Sequence, residues 1–365
     1  MALTTTTEIA GPVNVKFQVN LLRNAKALAP YFLGTTPAEI VEHSGTFTAK
    51  WRRIENLTPV TTALTELTGS PSFPTRVGVQ PTVTDITATV EKFGNFIFLN
   101  EEVDLINFNG QGAKLTEILG MNAGQSLNRL QRNIAEDNLT AILGGTSTVA
   151  TDITLTGTAS GGMSLGFISR TVNALNRQEA LKFLPQTTGD TNIGTAPIRT
   201  SYWGICHVDT TEDLRLLTGF RSVETYANQT KTAQGEIGAV GGVRWIETTE
   251  ASIDADTGEV GTGSATIDAR SSANSRADIY NSIVFGKDAL GSLGLGTRHV
   301  KEIYKVGDKL PAVQVITHAK GSAGAGDPLN EIATMGWKSW HSGVVLNSNW
   351  ARVMRHAVAL LTPVA

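Results

Sequence analysis

The residues most suggestive of chemistry are Gly162-Met163-Ser164-Leu165-Gly166, which match the G-x-S-x-G nucleophile elbow, with Asp and His residues downstream in the chain order that an α/β-hydrolase requires. An elbow serine sits between a buried strand and a helix, and the preceding stretch from Thr156 to Gly161 is too small and polar for a central strand. Ser164 is better suited to cap the helix that follows. Asp254-Ala255-Asp256-Thr257-Gly258-Glu259 has the density of a calcium loop, but Gly258 stands at a ligand position and no acid closes the loop, so a turn is expected. His207 and Asp209, two apart on a strand, would share a face, yet the six histidines are otherwise scattered and a structural role is expected. No phosphate-binding G-x-x-x-x-G-K-[ST] occurs, and Gly110-Gln111-Gly112 lacks the third glycine of a dinucleotide fingerprint. No catalytic residue, cofactor or metal is expected.

Two charged clusters remain. Lys50-Trp51-Arg52-Arg53 is the densest basic spot, and Glu101-Glu102-Val103-Asp104 is a dense acidic one. A basic cluster with an aromatic residue could stack and neutralise single-stranded nucleic acid. The pair could instead be solvated surface, or could meet across a subunit boundary, where complementary charge fixes register. The last reading is preferred, because an extended hairpin carrying such a cluster has little reason to exist except to reach a neighbour. Trp51, Arg52 and Arg53 against Glu101, Glu102 and Asp104 are therefore the candidate inter-subunit contact.

The elements that hold these clusters are legible from periodicity. From Gly112 to Gly145, apolar Leu115, Ile118, Leu119, Ala123, Leu127, Leu130, Ile134, Leu139 and Ile142 fall at helical spacing. Glu117, Asn122, Gln125, Asn128, Arg129, Arg132, Asn133 and Glu136 form the polar face, and Gly144-Gly145 a stop. A helix of that length, with its body at 113–143, would run roughly 45 Å and needs a broad platform. Thr46 to Ile54 and Thr82 to Val90 read as the strands of a long hairpin, joined through a tip interrupted by Pro59, Pro71, Pro74 and Pro81. Residues 1 to about 42, with a helix around 15–28, are too few to bury a core and must lie on another surface. A second helix is expected from about Ser164 to Leu184, and a linker at 186–200. Strands are expected at Ser201–Val208, Val243–Glu247, Ser282–Gly286 and Val313–His318, with a short helix at Thr210–Thr218 and an exposed loop or weak hairpin over Asp254–Asn274. The tail from Gly336 suggests strands with aromatic anchors that return to the lobe of the long helix.

The bulk numbers bound the class. At 365 residues two or more lobes are expected. Charged residues are only 17% and the net charge is −3, so no basic field grips nucleic acid. The single cysteine, Cys206, excludes intramolecular disulfides and suits a reducing compartment. The first residues offer no basic and apolar leader, and no window approaches 18 apolar residues, so neither secretion by that route nor a membrane span is expected.

The order of parts, with Gly45 to Thr58, Leu64-Thr65-Glu66-Leu67, Thr87 to Leu99, Gly336-Trp337-Lys338-Ser339-Trp340 and Val345-Leu346-Asn347, resembles the major capsid proteins of tailed bacteriophages. These share the Hong Kong 97-type fold, and the chain is most similar to the branch typified by Escherichia phage N-four. The similarity covers nearly the whole chain, with gaps through about 145–200 and 250–280. Lys92-Phe93-Gly94 departs from the family pattern, which has an uncharged residue and Tyr before the Gly. The resemblance implies an α+β fold with an N-terminal arm (1–43), an extended hairpin (44–92), a peripheral domain (93–195 with 336–365) and an axial domain (196–335). It implies a virion structural protein that assembles with itself, as hexamers and pentamers, into an icosahedral head around double-stranded DNA, without sequence-specific DNA binding. Assembly in the host bacterial cytoplasm, a portal, and a scaffold or decoration protein are implied partners and setting. A serine hydrolase using Ser164 and another β-rich virion or surface structural protein are the alternatives.

Overall fold

The computed structural model describes residues 29–40, 45–61, 63, 79–102, 111–153, 155, 161–183, 200–225, 232–259, 271, 276–295, 303–304, 313–322 and 326–359. The expected helix at 15–28, the linker at 186–199, Asp104 and most of the hairpin tip lie outside them.

The strands, in chain order, are β1 (Thr36–Ile40), β2 (Thr48–Ile54), β3 (Val83–Thr89), β4 (Glu91–Asn100), β5 (Ala141–Leu143), β6 (Tyr202–His207), β7 (Arg221–Ser222), β8 (Glu236–Val240), β9 (Val243–Thr248), β10 (Ile253–Asp254), β11 (Ile279–Phe285), β12 (Leu290–Leu295), β13 (Ile303–Tyr304), β14 (Val313–His318), β15 (Ile332–Val345) and β16 (Ala351–His356). The helices are α1 (Gln111–Asn138), α2 (Leu165–Arg177) and α3 (Thr210–Arg215). One sheet runs β1-β12-β15-β14-β13, with β4 also on β15; the other runs β5-β16-β11-β6-β9-β8-β7, with β10 on β11; β2 and β3 form the hairpin alone.

The long strand β15 organises the first sheet. β4 covers its residues Ile332 to His341 along one edge, while β14 and then β12 take the other, so His341 pairs with both Glu91 and Gly294. Helix α1 lies on one face of this sheet. Its Leu119, Ala123 and Leu127 pack with Val313, Val315, Trp337 and, from the arm, Ala29 and Phe32. The stripe is therefore the one the periodicity predicts at its centre, but not throughout. Ile118 is exposed, and Asn128, expected on the polar face, is buried because its Oδ1 accepts the backbone N–H of Tyr31.

The helix also stops earlier than expected. Asn138 turns its side chain back to the Ile134 carbonyl, and Ala141–Leu143 leave helical hydrogen bonding to pair in parallel with Val353–Arg355. The β-branched Ile142 accepts a strand there without strain, and the edge of β16 supplies the partners that another helical turn would have supplied. Helix α2 likewise ends at Arg177, short of Leu184, with Glu179 in the left-handed region at φ 53°.

Each sheet draws strands from both sides of the linear division at 195 and 335. Val313–His318, expected with the 196–335 unit, is a strand of the sheet under α1. Ala351–His356, expected with the long-helix lobe, instead lies in the second sheet between β5 and β11. Trp337 of β15 packs against α1, and the chain then crosses to the other sheet within six residues. In that second sheet β6 is buried almost throughout, and Gly204 lies beneath Trp245, whose ring leaves no room for a Cβ. After Gly145 the chain makes a 3-10 turn at Ala150–Asp152. Residues 29–40 of the arm lie on the chain's own body: Tyr31 and Phe32 are buried, and β1 pairs in parallel with β12.

Candidate assembly interface

The hairpin has the period-2 pattern of a half-buried pair of strands. Thr48 faces Thr89 and Ile54 faces Val83, so Ala49, Trp51 and Arg53 share an inner face with Thr84, Ile86 and Ala88. Ala49, Trp51 and Ala88 rest against Ile40, Val90, Leu293 and Trp340. The Phe47 ring stacks on Trp340 at 5.7 Å, and the Lys92 ammonium sits 5.8 Å above the same ring.

The basic cluster is anchored within the chain. On the outer face Lys50 Nζ approaches Asp85 to 2.6 Å and Arg52 Nε to 3.1 Å, and these two donors, Lys50 first, hold the Asp85 carboxyl below its usual range. On the inner face Arg53 pairs with Glu55 at 2.7 Å and donates Nη1 to the Leu346 carbonyl at 3.2 Å. The hydrogen bonds from Arg53 and Thr84 lower the Glu55 carboxyl. Exposed pairs of this kind contribute little to stability. The acidic cluster begins at Glu101, whose N–H donates to the Glu331 carbonyl, and Glu102 beside it is exposed.

These anchors fix where the two clusters lie. Leu346 follows the C-terminal end of β15 and Glu331 precedes its N-terminal end, with 14 strand residues between them. At about 3.3 Å per residue that is roughly 46 Å. Among the described residues, Trp51–Arg53 and Glu101–Glu102 do not meet within one chain, and a contact between them requires two copies.

A second surface was not singled out by the sequence. β4 is apolar on both sides: Phe93 and Ile97 pack toward α1, while Phe96 and Phe98, 60% and 65% exposed, stand edge to face on the opposite side. With Gly94, Gly336, Ile316 and Lys338, Phe96 lines an open cavity of about 640 Å³. A strand apolar on both faces is the pattern of one covered on both faces. Apolar residues are exposed along the hairpin as well, at Ile54, Leu57, Val60, Val79 and Val83. Together they form the kind of apolar exposure that marks protein contact surfaces. The signal was present in the run Phe96–Leu99, which is apolar in both registers.

The remaining candidates are structural. Ser164 caps α2, its Oγ accepting the Phe167 N–H at 3.2 Å, and no histidine or carboxylate bonds to it among the described residues. Ser164→Ala should cost about 1 kcal/mol in urea unfolding, the usual contribution of an N-cap. The Asp254 carboxylate accepts from Asn281, and the Asp256 N–H donates to Asp278. No group of three metal-ligating side chains occurs among the described residues. His207 and Tyr280 both meet Asp209. Ser282 Oγ and His356 Nε2 lie 3.0 Å apart but are wholly buried, which closes them to any substrate. Burial pushes the Cys206 thiol well above its usual range, which leaves no thiolate.

The sequence matches no protein-family model and no curated protein. The fold is similar to the capsid of Ralstonia phage GP4, at 11% identity and a TM-score of 0.58 over 91% of this chain and 89% of that one. It is also similar to the capsid structure of the cyanophage P-SCSP1u, at 11% identity and a TM-score of 0.51 over 88% and 85%. The fold of this chain is that of phage capsid proteins, as the resemblance implied.

Proposed function

We propose that this chain is a major capsid protein, which associates as hexamers and pentamers into the icosahedral head shell around phage double-stranded DNA. The observation that carries the reading is the likeness to two phage capsid structures over about nine tenths of the chain and a similar share of each of theirs. The surfaces support it in physical terms. The two-faced apolar strand β4 and the exposed apolar hairpin are sensible when neighbouring copies cover them, and clusters of opposite charge at opposite ends of β15 can pair only between copies. A net charge of −3 suits a container that must not grip its DNA.

In this reading the hairpin laps over a neighbouring subunit with its exposed face, while residues 29–40 of the arm stay on the chain's own body. The long helix with its sheet is the peripheral unit, and the second sheet with α2 and α3 is the axial one. Of the candidate contact, Arg52 on the outer face of one copy's hairpin faces Glu101, Glu102 and Asp104 of the next, with Trp51 and Arg53 seating the hairpin from its inner face. A portal, and a scaffold or decoration protein, are further partners, and assembly takes place in the host bacterial cytoplasm. None of the described helices is long and apolar enough to cross a membrane. The mechanism is association, with no reaction: many weak contacts, each repeated over the shell, act jointly. Sedimentation of the chain expressed alone tests this reading. Particles far heavier than the 38.7 kDa chain are expected, and a species that stays at that mass over a wide concentration range argues against it.

A further inference from the structure

Helix α1 meets the first sheet through apolar side chains; it meets the second sheet both through Ala135 and the adjoining Leu139, which pack in one cluster with Ile205, Ile246, Ile283 and Val353, and through charge. Arg129 Nε donates to Oε2 of Glu250, in the turn between β9 and β10, and Arg132, nearly one helical turn on, donates Nη1 to the Glu250 backbone carbonyl. Glu136, a further turn along, accepts from Ser252 Oγ at 2.6 Å, and Ser252 Oγ accepts from Asn281 of β11 at 2.9 Å. Glu250 is only 7% exposed, whereas the Arg129 side chain is largely in solvent. Three side chains of one helix face thus grip a four-residue turn of the other sheet.

The two kinds of joint behave differently. An apolar stripe slides at little cost because dispersion has no direction. A buried carboxylate held by a guanidinium has one good geometry, and displacement leaves the charge buried without its partner. Such a contact is a poor stabiliser compared with apolar packing and a good determinant of angle. We infer that the Glu250 turn is a latch: Arg129 and Arg132 hold it in one arrangement and so fix the angle between the two sheets. Resting on the capsid reading, that angle sets the curvature of the shell.

Glu250→Gln keeps the shape of the side chain and removes its charge. Two backbone N–H groups report on the turn, that of Glu250, which donates to Thr248 Oγ1, and that of Asn281, which donates to the Ser252 carbonyl. In the Glu250→Gln chain, hydrogen exchange at these amides should quicken roughly tenfold or more while β4, β14 and β15 keep their protection. Shells of the variant should show a shifted or broadened diameter distribution by electron microscopy, and Arg129→Lys, which keeps the charge but not the planar fork, should fall between. Unchanged exchange overturns the latch, as does quickening that is equal across both sheets, which signals a general loss of stability. Quickened exchange with shells of unaltered diameter overturns the link to curvature. Absence of shells from the unaltered chain is a failure of the capsid reading alone, and the exchange comparison then decides the latch.

Discussion

Reversing the charge of Arg52 and Arg53 together, to Glu, abolishes shell formation and leaves a folded chain. The expectation rests on the two ends of β15. Arg53 is tied to Leu346 and Glu101 to Glu331, so in the proposed reading a contact between the clusters forms only between copies. Arg52 is the more exposed of the two, and its bond to Asp85 is shared with Lys50, so its loss leaves the hairpin's own pairing in place. Arg53 does more within the chain, through Glu55 and the Leu346 carbonyl, and its reversal loosens the seat of the hairpin. Each single reversal separates these effects. Arg52→Glu alone should slow assembly, with an unfolding midpoint close to that of the unaltered chain, and lowering the salt should deepen the defect as screening weakens. Light scattering measures assembly and circular dichroism the fold; shells formed at the normal rate by the double variant would remove the charge contact from the account.

Acid should unfold the subunit through two buried histidines. His341 lies on β15 against Phe32, with ring centroids 5.4 Å apart, and His356 lies on β16 beside Ser282 and Tyr280. Burial lowers both from 6.5 to about 4, and backbone contacts at Leu293 and Ala357 offset only part of that effect. In the folded chain both rings are thus neutral at pH values where the unfolded chain already binds protons. The stability associated with them is fully present above about pH 6.5 and is lost as pH falls toward about 4. The interval corresponds to about 3 kcal/mol for each histidine, which together approach the whole stability of a typical domain. Urea unfolding followed from pH 7.5 to 4 should show a steep fall below 6.5, and His341→Gln with His356→Gln should flatten it. An unchanged slope in the double variant would locate the acid sensitivity elsewhere.

Much of this was legible before any coordinates, and what was not has a common cause. The strands of the hairpin, β6, β9, β11 and β14 fall within a few residues of where alternation and β-branching put them, and Ser164 caps its helix as its position before an apolar run suggests. The misses are matters of partnership. Ala141–Leu143 continues a helical pattern and becomes a strand because β16 offers it hydrogen bonds. Asn128 reads as polar surface and is buried because Tyr31, nearly a hundred residues earlier, donates to it. The crossing of the chain between sheets after Val345 carries no local mark. The candidate interface follows the same rule. The two charged clusters were visible as composition, but their placement at opposite ends of one strand comes from β15 pairing with β4, and the exposed pair Phe96 and Phe98 is a surface only because α1 covers the other side.

The central claim is that this chain builds a shell from copies of itself, and the most direct measurement is negative-stain electron microscopy, with light scattering, on the soluble fraction of the chain expressed alone. Closed shells, tubes, or rings of six and five subunits are the predicted result. A monodisperse monomer or small dimer that persists at high concentration would contradict it.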